Sequence, residues 1–153
     1  MNFLELKVPP VAVTFLTALL MWLVARSLPA GAFVVPARIQ FAMILAIIGA
    51  ATSTLGVVAF RRASTTVNPM KPEAASSLVH SGIYTVTRNP MYLGLLLVLT
   101  GWAIFLSNAI AFLFLPAFVL YINRFQITLE ERALTSLFGQ EFVTYQSRVR
   151  RWL

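Results

Sequence analysis

The side chains able to do polar chemistry fall into two separated stretches. The first is the link from Arg61 to Pro90, which ends Leu78-Val79-His80-Ser81-Gly82-Ile83-Tyr84-Thr85-Val86-Thr87-Arg88-Asn89-Pro90 and runs on into Met91 and Tyr92. The second runs from Arg124 to Tyr145 and carries Glu130 and Glu131, two of the five acidic residues in the chain. Arginine, tyrosine and carboxylate side chains of this kind hold charged small molecules, and a carboxylate or histidine can also move a proton. Other chemistries are excluded. Cysteine is absent, so thiolate nucleophiles, disulfides and Cys-ligated metals are ruled out. His80 is the single histidine and has no companions at ligand spacing, so no metal site is expected.

Part of this inventory has a purely local explanation. Asn89 is a good N-cap and Pro90 a good first helical residue, so the pair starts a helix. Thr128-Leu129-Glu130-Glu131 fits a capping box, with Thr128 as N-cap, Glu131 reaching back and Glu130 complementing the helix dipole. The gathering of Tyr84, Arg88 and Tyr92 around one helix mouth is left over; it reads either as a binding site or as belt tyrosines and a snorkelling arginine.

The elements that must position these residues are set by lipid. The 153 residues are 59% hydrophobic and 11% charged, whereas a soluble domain carries about 25% charged residues. Lipid therefore covers part of the surface. A formal charge of +7 sits in the links between apolar runs, so it reads as membrane topology rather than nucleic-acid binding, and anionic headgroups are a natural partner. Spans are expected at about 8–28, 39–60, 91–106 and 109–125. Glu5 ahead of the first run and Arg26 near its end argue for a retained helix over a cleaved signal. In the second, Ala46, Gly49, Ser53 and Gly56 share one face and invite a close helix neighbour. Met91 to Ile122 has no charge and would be about 48 Å long as one helix. It must break, and Ser107-Asn108 is the place, with Pro116 kinking the second half.

With the N-terminus inside, Lys7, Arg61, Arg62, Lys71, Arg88, Arg124, Arg132, Arg148, Arg150 and Arg151 lie on the cytoplasmic side, and Arg26 and Arg38 outside. Both termini are then cytoplasmic, in the inner membrane of a bacterial-type cell. Gly139 ends a short helix or bends the chain. Phe138, Phe142, Tyr145, Val149 and Trp152 follow at helical spacing, opposite Gln146, Arg148, Arg150 and Arg151, as in an interfacial amphipathic helix. The expected fold is one all-α domain over 1–153: a polytopic bundle of about four transmembrane helices plus a C-terminal amphipathic segment. Both polar stretches emerge on the same side and can converge on one pocket.

The block Leu78 to Tyr84, followed by Arg88-Asn89-Pro90-Met91-Tyr92-Leu93-Gly94, resembles the isoprenylcysteine carboxyl methyltransferase and phospholipid N-methyltransferase family. So does Arg124 followed by Glu130-Glu131-Arg132-Ala133-Leu134, Phe138-Gly139, Tyr145 and Val149. The likeness covers about Ser76 to Leu153; the first two spans carry no motif. It implies methyl transfer from S-adenosylmethionine to a lipid-embedded or prenylated carboxylate, amine or thiol at the cytoplasmic face, with cofactor segments at 76–92 and 124–145. The cofactor-binding residues it implies are Leu78, Val79, His80, Tyr84, Arg88, Asn89, Pro90, Met91, Tyr92 and Glu130. Arg124, gripping an acceptor carboxylate or phosphate, and Glu131, the base that an amine would need, are the catalytic candidates. A non-catalytic scaffold of the same fold and a small transporter are the alternatives, although a transporter would place an ionisable residue within its spans.

Overall fold

In the computed structural model, residues 8–65 and 74–153 are described; Glu5, Lys7 and Lys71 lie outside them. Helix α1 (Pro10–Ser27) begins on a proline, whose missing N–H costs nothing in a first turn. It buries Val13, Thr14, Thr17 and Met21, while Phe15, Leu16, Leu19 and Leu23 face outward. The two threonine hydroxyls donate back to the Pro10 and Val13 carbonyls at 2.9 and 2.8 Å, which satisfies them in an apolar setting. Helix α2 (Arg38–Arg62) is longer and more exposed, with Ile39, Phe41, Met43, Ile44, Ile47 and Ile48 on its outer side. These outward faces are what lipid would cover. α1, α2 and the helical stretch Ala109–Phe138 are each long and apolar enough to cross a membrane, and α3 (Pro90–Leu106) is a shorter apolar helix. The protein is thus an all-α membrane bundle.

α3 lies at the centre. Its small residues fit the small-residue face of α2, where Ser53 Oγ donates to the Met91 carbonyl at 3.1 Å. A Cβ added at Gly49 would lie 2.5 Å from the Gly94 carbonyl, and one at Gly101 2.8 Å from the Ala42 carbonyl. The backbones approach closely because nothing stands between them. On its other side α3 is tied to α1 by the Trp102 Nε1 bond to the Ala18 carbonyl at 3.0 Å.

The apolar run breaks at Ser107-Asn108, as its length requires. Ser107 takes a left-handed conformation (φ 51°). The Asn108 carbonyl oxygen of the side chain accepts from the Ile110 N–H at 3.0 Å, and its amide donates to the Leu28 carbonyl at 3.0 Å. One fully buried side chain thus starts the next helix and holds the end of α1. Asn108→Ala is expected to lower stability by about 1–2 kcal/mol, through loss of the cap and of the tie to the end of α1. Thermal unfolding in detergent should show this as a reduced midpoint.

Helices α4 (Ala109–Phe112) and α5 (Phe114–Ile122) are separated at Leu113. Pro116 has no N–H for the Phe112 carbonyl, which accounts for the break. A π-turn, Asn123–Ile127, then leads without interruption into α6 (Thr128–Phe138). This corrects the capping-box reading. Thr128 caps nothing, because the preceding helix already supplies carbonyls to its neighbours; its hydroxyl donates to the Asn123 carbonyl at 2.7 Å. Gly139, at φ 52°, turns the chain into α7 (Gln140–Arg148). The helical periodicity expected through Trp152 stops at Arg148, and Val149 is extended.

Gln126 Nε2 donates to the Val8 carbonyl at 2.8 Å, so the π-turn and the start of α1 share one end of the bundle. The start of α3 and the end of α2 lie there too, through the Gly56–Met91 contact. Arg38 reaches Ser107 Oγ at the opposite end, at 3.5 Å.

Candidate functional site

The two polar stretches meet at the end of the bundle shared by α6 and the mouth of α3. A cleft there is walled by Phe60 of α2, by Ala75, Ser77, Leu78 and Val79 of the link, and by Tyr84, which sits in the 3₁₀ turn Gly82–Thr85. Met91 and Tyr92 of α3, Glu130, Glu131 and Leu134 of α6, and Phe142 and Tyr145 of α7 complete it. Its enclosed part measures about 80 Å³, and about 640 Å³ with the open mouth counted. Leu78 and Tyr145 also form the wall of an outer groove of about 540 Å³, lined by His80, Thr85, Glu141, Thr144, Arg148 and Val149.

The interior is held by polar contacts between segments far apart in sequence. The Tyr92 hydroxyl donates to Glu130 Oε1. Glu131 accepts from two arginines: Arg88 Nη2 at 3.0 Å, and Arg151, whose Nε lies at 3.1 Å and whose Nη2 reaches the other oxygen. Arg88 Nη1 donates to the Gln146 carbonyl at 3.3 Å, whereas its Nε–H is buried without a partner among the described residues. Tyr145 donates to the Tyr84 carbonyl at 2.7 Å, and Phe60 packs edge-on to the Tyr84 ring at 5.4 Å. Burial, with the Tyr145 and Glu130 charges adding to it, pushes the Tyr84 phenol far above its ordinary range. Tyr145 is pushed up to about 12 by burial, against the opposing pull of Arg88. Both phenols therefore stay protonated donors at neutral pH.

The family model described as phospholipid methyltransferase matches residues 37–141, more than half of the chain. The chain belongs to this family. Among its relatives, protein-S-isoprenylcysteine O-methyltransferase B of Arabidopsis thaliana is 30% identical over 113 residues, covering 72% of this chain and 56% of the plant protein. The protein-S-isoprenylcysteine O-methyltransferase of Saccharomyces cerevisiae is 28% identical over 109 residues, covering 69% of this chain and 44% of the yeast protein. An uncharacterized protein of Haemophilus influenzae is 51% identical over 63 residues, covering 41% of this chain and all of the relative. The chain spans about half the length of the plant and yeast relatives it matches. No solved structure matches it.

The resemblance drawn from the two motifs holds at the level of the family. Of the residues those motifs nominate, Leu78, Val79, Tyr84, Arg88, Asn89, Met91, Tyr92, Glu130 and Glu131 all line the one cleft. Three others do not. Pro90 is buried against Gly56 rather than on the cleft surface. His80 is exposed in the outer groove, its Nδ1 3.3 Å from the Leu78 carbonyl. Arg124 is exposed on the π-turn and lines neither the cleft nor the groove. Asn89 precedes the first turn of α3, but its side chain makes no cap there; its amide donates to the Arg151 carbonyl at 2.9 Å.

Several lining residues escaped sequence reasoning. Leu134 follows Glu130 by four and Glu131 by three, so helical spacing alone puts it on their face. Phe142 and Tyr145 belong to the apolar stripe of α7, which reads as a membrane-facing or packing surface until the fold turns it inward. Phe60, Ala75 and Ser77 carry no signal in the sequence.

Proposed function

We propose that the protein transfers the methyl group of S-adenosylmethionine to a lipid-embedded or prenylated acceptor at the cytoplasmic face of a membrane. The observation that carries this reading is the meeting of Tyr92 and Glu130, from segments separated by an uncharged helical hairpin, in one cleft at the end of the bundle. The basic residues favour the orientation: among the described residues, Arg26 and Arg38 stand apart from the other arginines, which belong to the links and the C-terminal segment at the cleft end.

The cleft residues fit that cofactor. The buried Nε–H of Arg88, unpartnered among the described residues, is a donor suited to a carboxylate. Glu130 is suited to an ammonium or to ribose hydroxyls, and the rings of Tyr84 and Tyr92 suit a sulfonium cation. The enclosed space is too small for a whole nucleoside, so the cleft and the outer groove beyond Leu78 and Tyr145 would both be used. When bound, the cofactor supplies an electrophilic methyl group for in-line displacement. The chain's contribution is then positioning and exclusion of water rather than covalent chemistry.

The arrangement also bears on the acceptor. Both oxygens of Glu131 are engaged by guanidinium donors, and His80 lies outside the cleft. Glu130 is committed to Tyr92 and the cofactor. Glu131 and His80, the bases an amine acceptor would call on, are thus engaged or outside the cleft, which favours an acceptor that is already ionised, such as a prenylcysteine carboxylate.

Calorimetric titration of the detergent-purified protein with S-adenosylmethionine and its demethylated product is expected to show saturable binding. Incubation of lipid extracts with labelled cofactor should then yield a labelled, mass-identifiable lipid. A protein with intact helical circular dichroism and no binding heat would refute the reading.

A further inference from the structure

We infer that Arg151 is a positioning residue for the cofactor cleft, acting through Glu131 and Arg88; this rests on the cofactor reading above. Arg151 follows the last helix and lies beyond the residues matched by the family model, which end at 141. It nevertheless makes a two-point contact with a residue that lines the cleft. Its guanidinium grips Glu131 with Nε at 3.1 Å and Nη2 on the second carboxylate oxygen, a two-point contact that fixes the carboxylate plane. The same carboxylate holds Arg88 Nη2 at 3.0 Å. Arg88, which lines the cleft, is thereby held in place.

The backbone around Arg151 adds a second hold on the same loop. The Arg150 carbonyl accepts from the Arg88 N–H at 3.0 Å, and the Arg151 carbonyl accepts from Thr87 Oγ1 at 3.3 Å and Asn89 Nδ2 at 2.9 Å. Three consecutive residues at the mouth of α3 are therefore clasped by two residues of the C-terminal strap. Loops of this kind are mobile unless their backbone groups are paired. Neither Arg150 nor Arg151 lines the cleft, so the strap acts on a bound cofactor through Arg88. Arg151 therefore governs cofactor affinity and leaves turnover of the filled site almost unchanged.

The test compares Arg151→Ala, Arg151→Lys, Glu131→Gln and Trp152→Phe in the full chain, by steady-state methyl transfer and by calorimetry with S-adenosylmethionine. Arg151→Ala is expected to raise the KM and Kd for the cofactor by about tenfold or more, the loss of hydrogen bonds to a charged group, with kcat at saturation little changed. Lysine, which restores the charge but not the fork, should recover part of the affinity. Glu131→Gln combined with Arg151→Ala should weaken binding no further than the stronger single change, since both break one linkage. Trp152→Phe removes the neighbouring strap bond from Trp152 Nε1 to Asn123 Oδ1 at 3.1 Å; it should lower the unfolding midpoint without moving KM. Cofactor affinity unchanged in Arg151→Ala, or lost equally in Trp152→Phe, overturns the positioning role. A wild-type protein that binds no cofactor overturns the reading beneath it instead. Should Arg151→Ala fail to fold, the lysine variant decides: wild-type KM in it refutes the need for the two-point grip.

Discussion

Glu130→Ala is expected to weaken binding of S-adenosylmethionine by about 1–3 kcal/mol, a loss of roughly 5- to 150-fold. Glu130 stands inside the cleft, and the proposed cofactor brings donors that this carboxylate would accept. Removing it leaves those donors, and the buried Tyr92 hydroxyl, without their carboxylate partner. Tyr92→Phe separates the two contributions, because it deletes the hydroxyl and keeps the carboxylate and the ring. A loss of affinity large in Glu130→Ala and small in Tyr92→Phe would place the carboxylate on the cofactor itself. Unchanged affinity in Glu130→Ala, measured by calorimetry on protein with native helicity, would remove the residue from the site.

Gly94→Val should produce the second large effect, on the bundle rather than on the ligand. A Cβ at Gly94 would lie 2.1 Å from Ser53 Oγ and 2.3 Å from the Gly49 carbonyl, with the Ser53 nitrogen at 2.8 Å. Two of these three neighbours are backbone and cannot move aside alone, so α2 would have to withdraw along its length. Overpacking of this kind costs about 1–3 kcal/mol and more where the backbone must shift. The Ser53 bond to the Met91 carbonyl would be broken with it. Because Met91 and Tyr92 lie within one turn of Gly94, cofactor affinity should fall together with the unfolding midpoint. A valine variant that melts at the wild-type temperature would show that the two helices are not held at this contact.

Much of the architecture was legible from local pattern. The apolar runs, the small-residue face of α2 and the proline at the head of α1 each declare themselves within a few residues, because lipid and helix geometry act on every residue alike. Ser107-Asn108 was readable for a related reason: an uncharged run too long for the bilayer had to turn, and this polar pair lies at its middle. Tyr92 and Glu130 could be nominated from two motifs, and the shared side of their helices made their meeting reasonable.

Glu131 shows where local reading fails. At sequence level Thr128 and Glu131 satisfy a capping box, yet the helix passes through a π-turn and leaves no free N–H groups to cap. The freed carboxylate instead finds Arg88 and Arg151, from segments 43 and 20 residues away in the chain. Asn89 is diverted in the same way, from its own helix to the Arg151 carbonyl. Arg124, on the same turn, is exposed and lies outside the cleft that the glutamates following it line.

By itself, then, the sequence determined that this is a helical membrane protein with its polar groups collected at one end, since burial in lipid is decided by composition and periodicity. Which of those polar groups would face one another was decided only by the tertiary structure. A charged side chain takes whichever partner the fold brings within hydrogen-bonding distance, and for Glu131 that partner lies on a strap and a loop that no spacing rule connects.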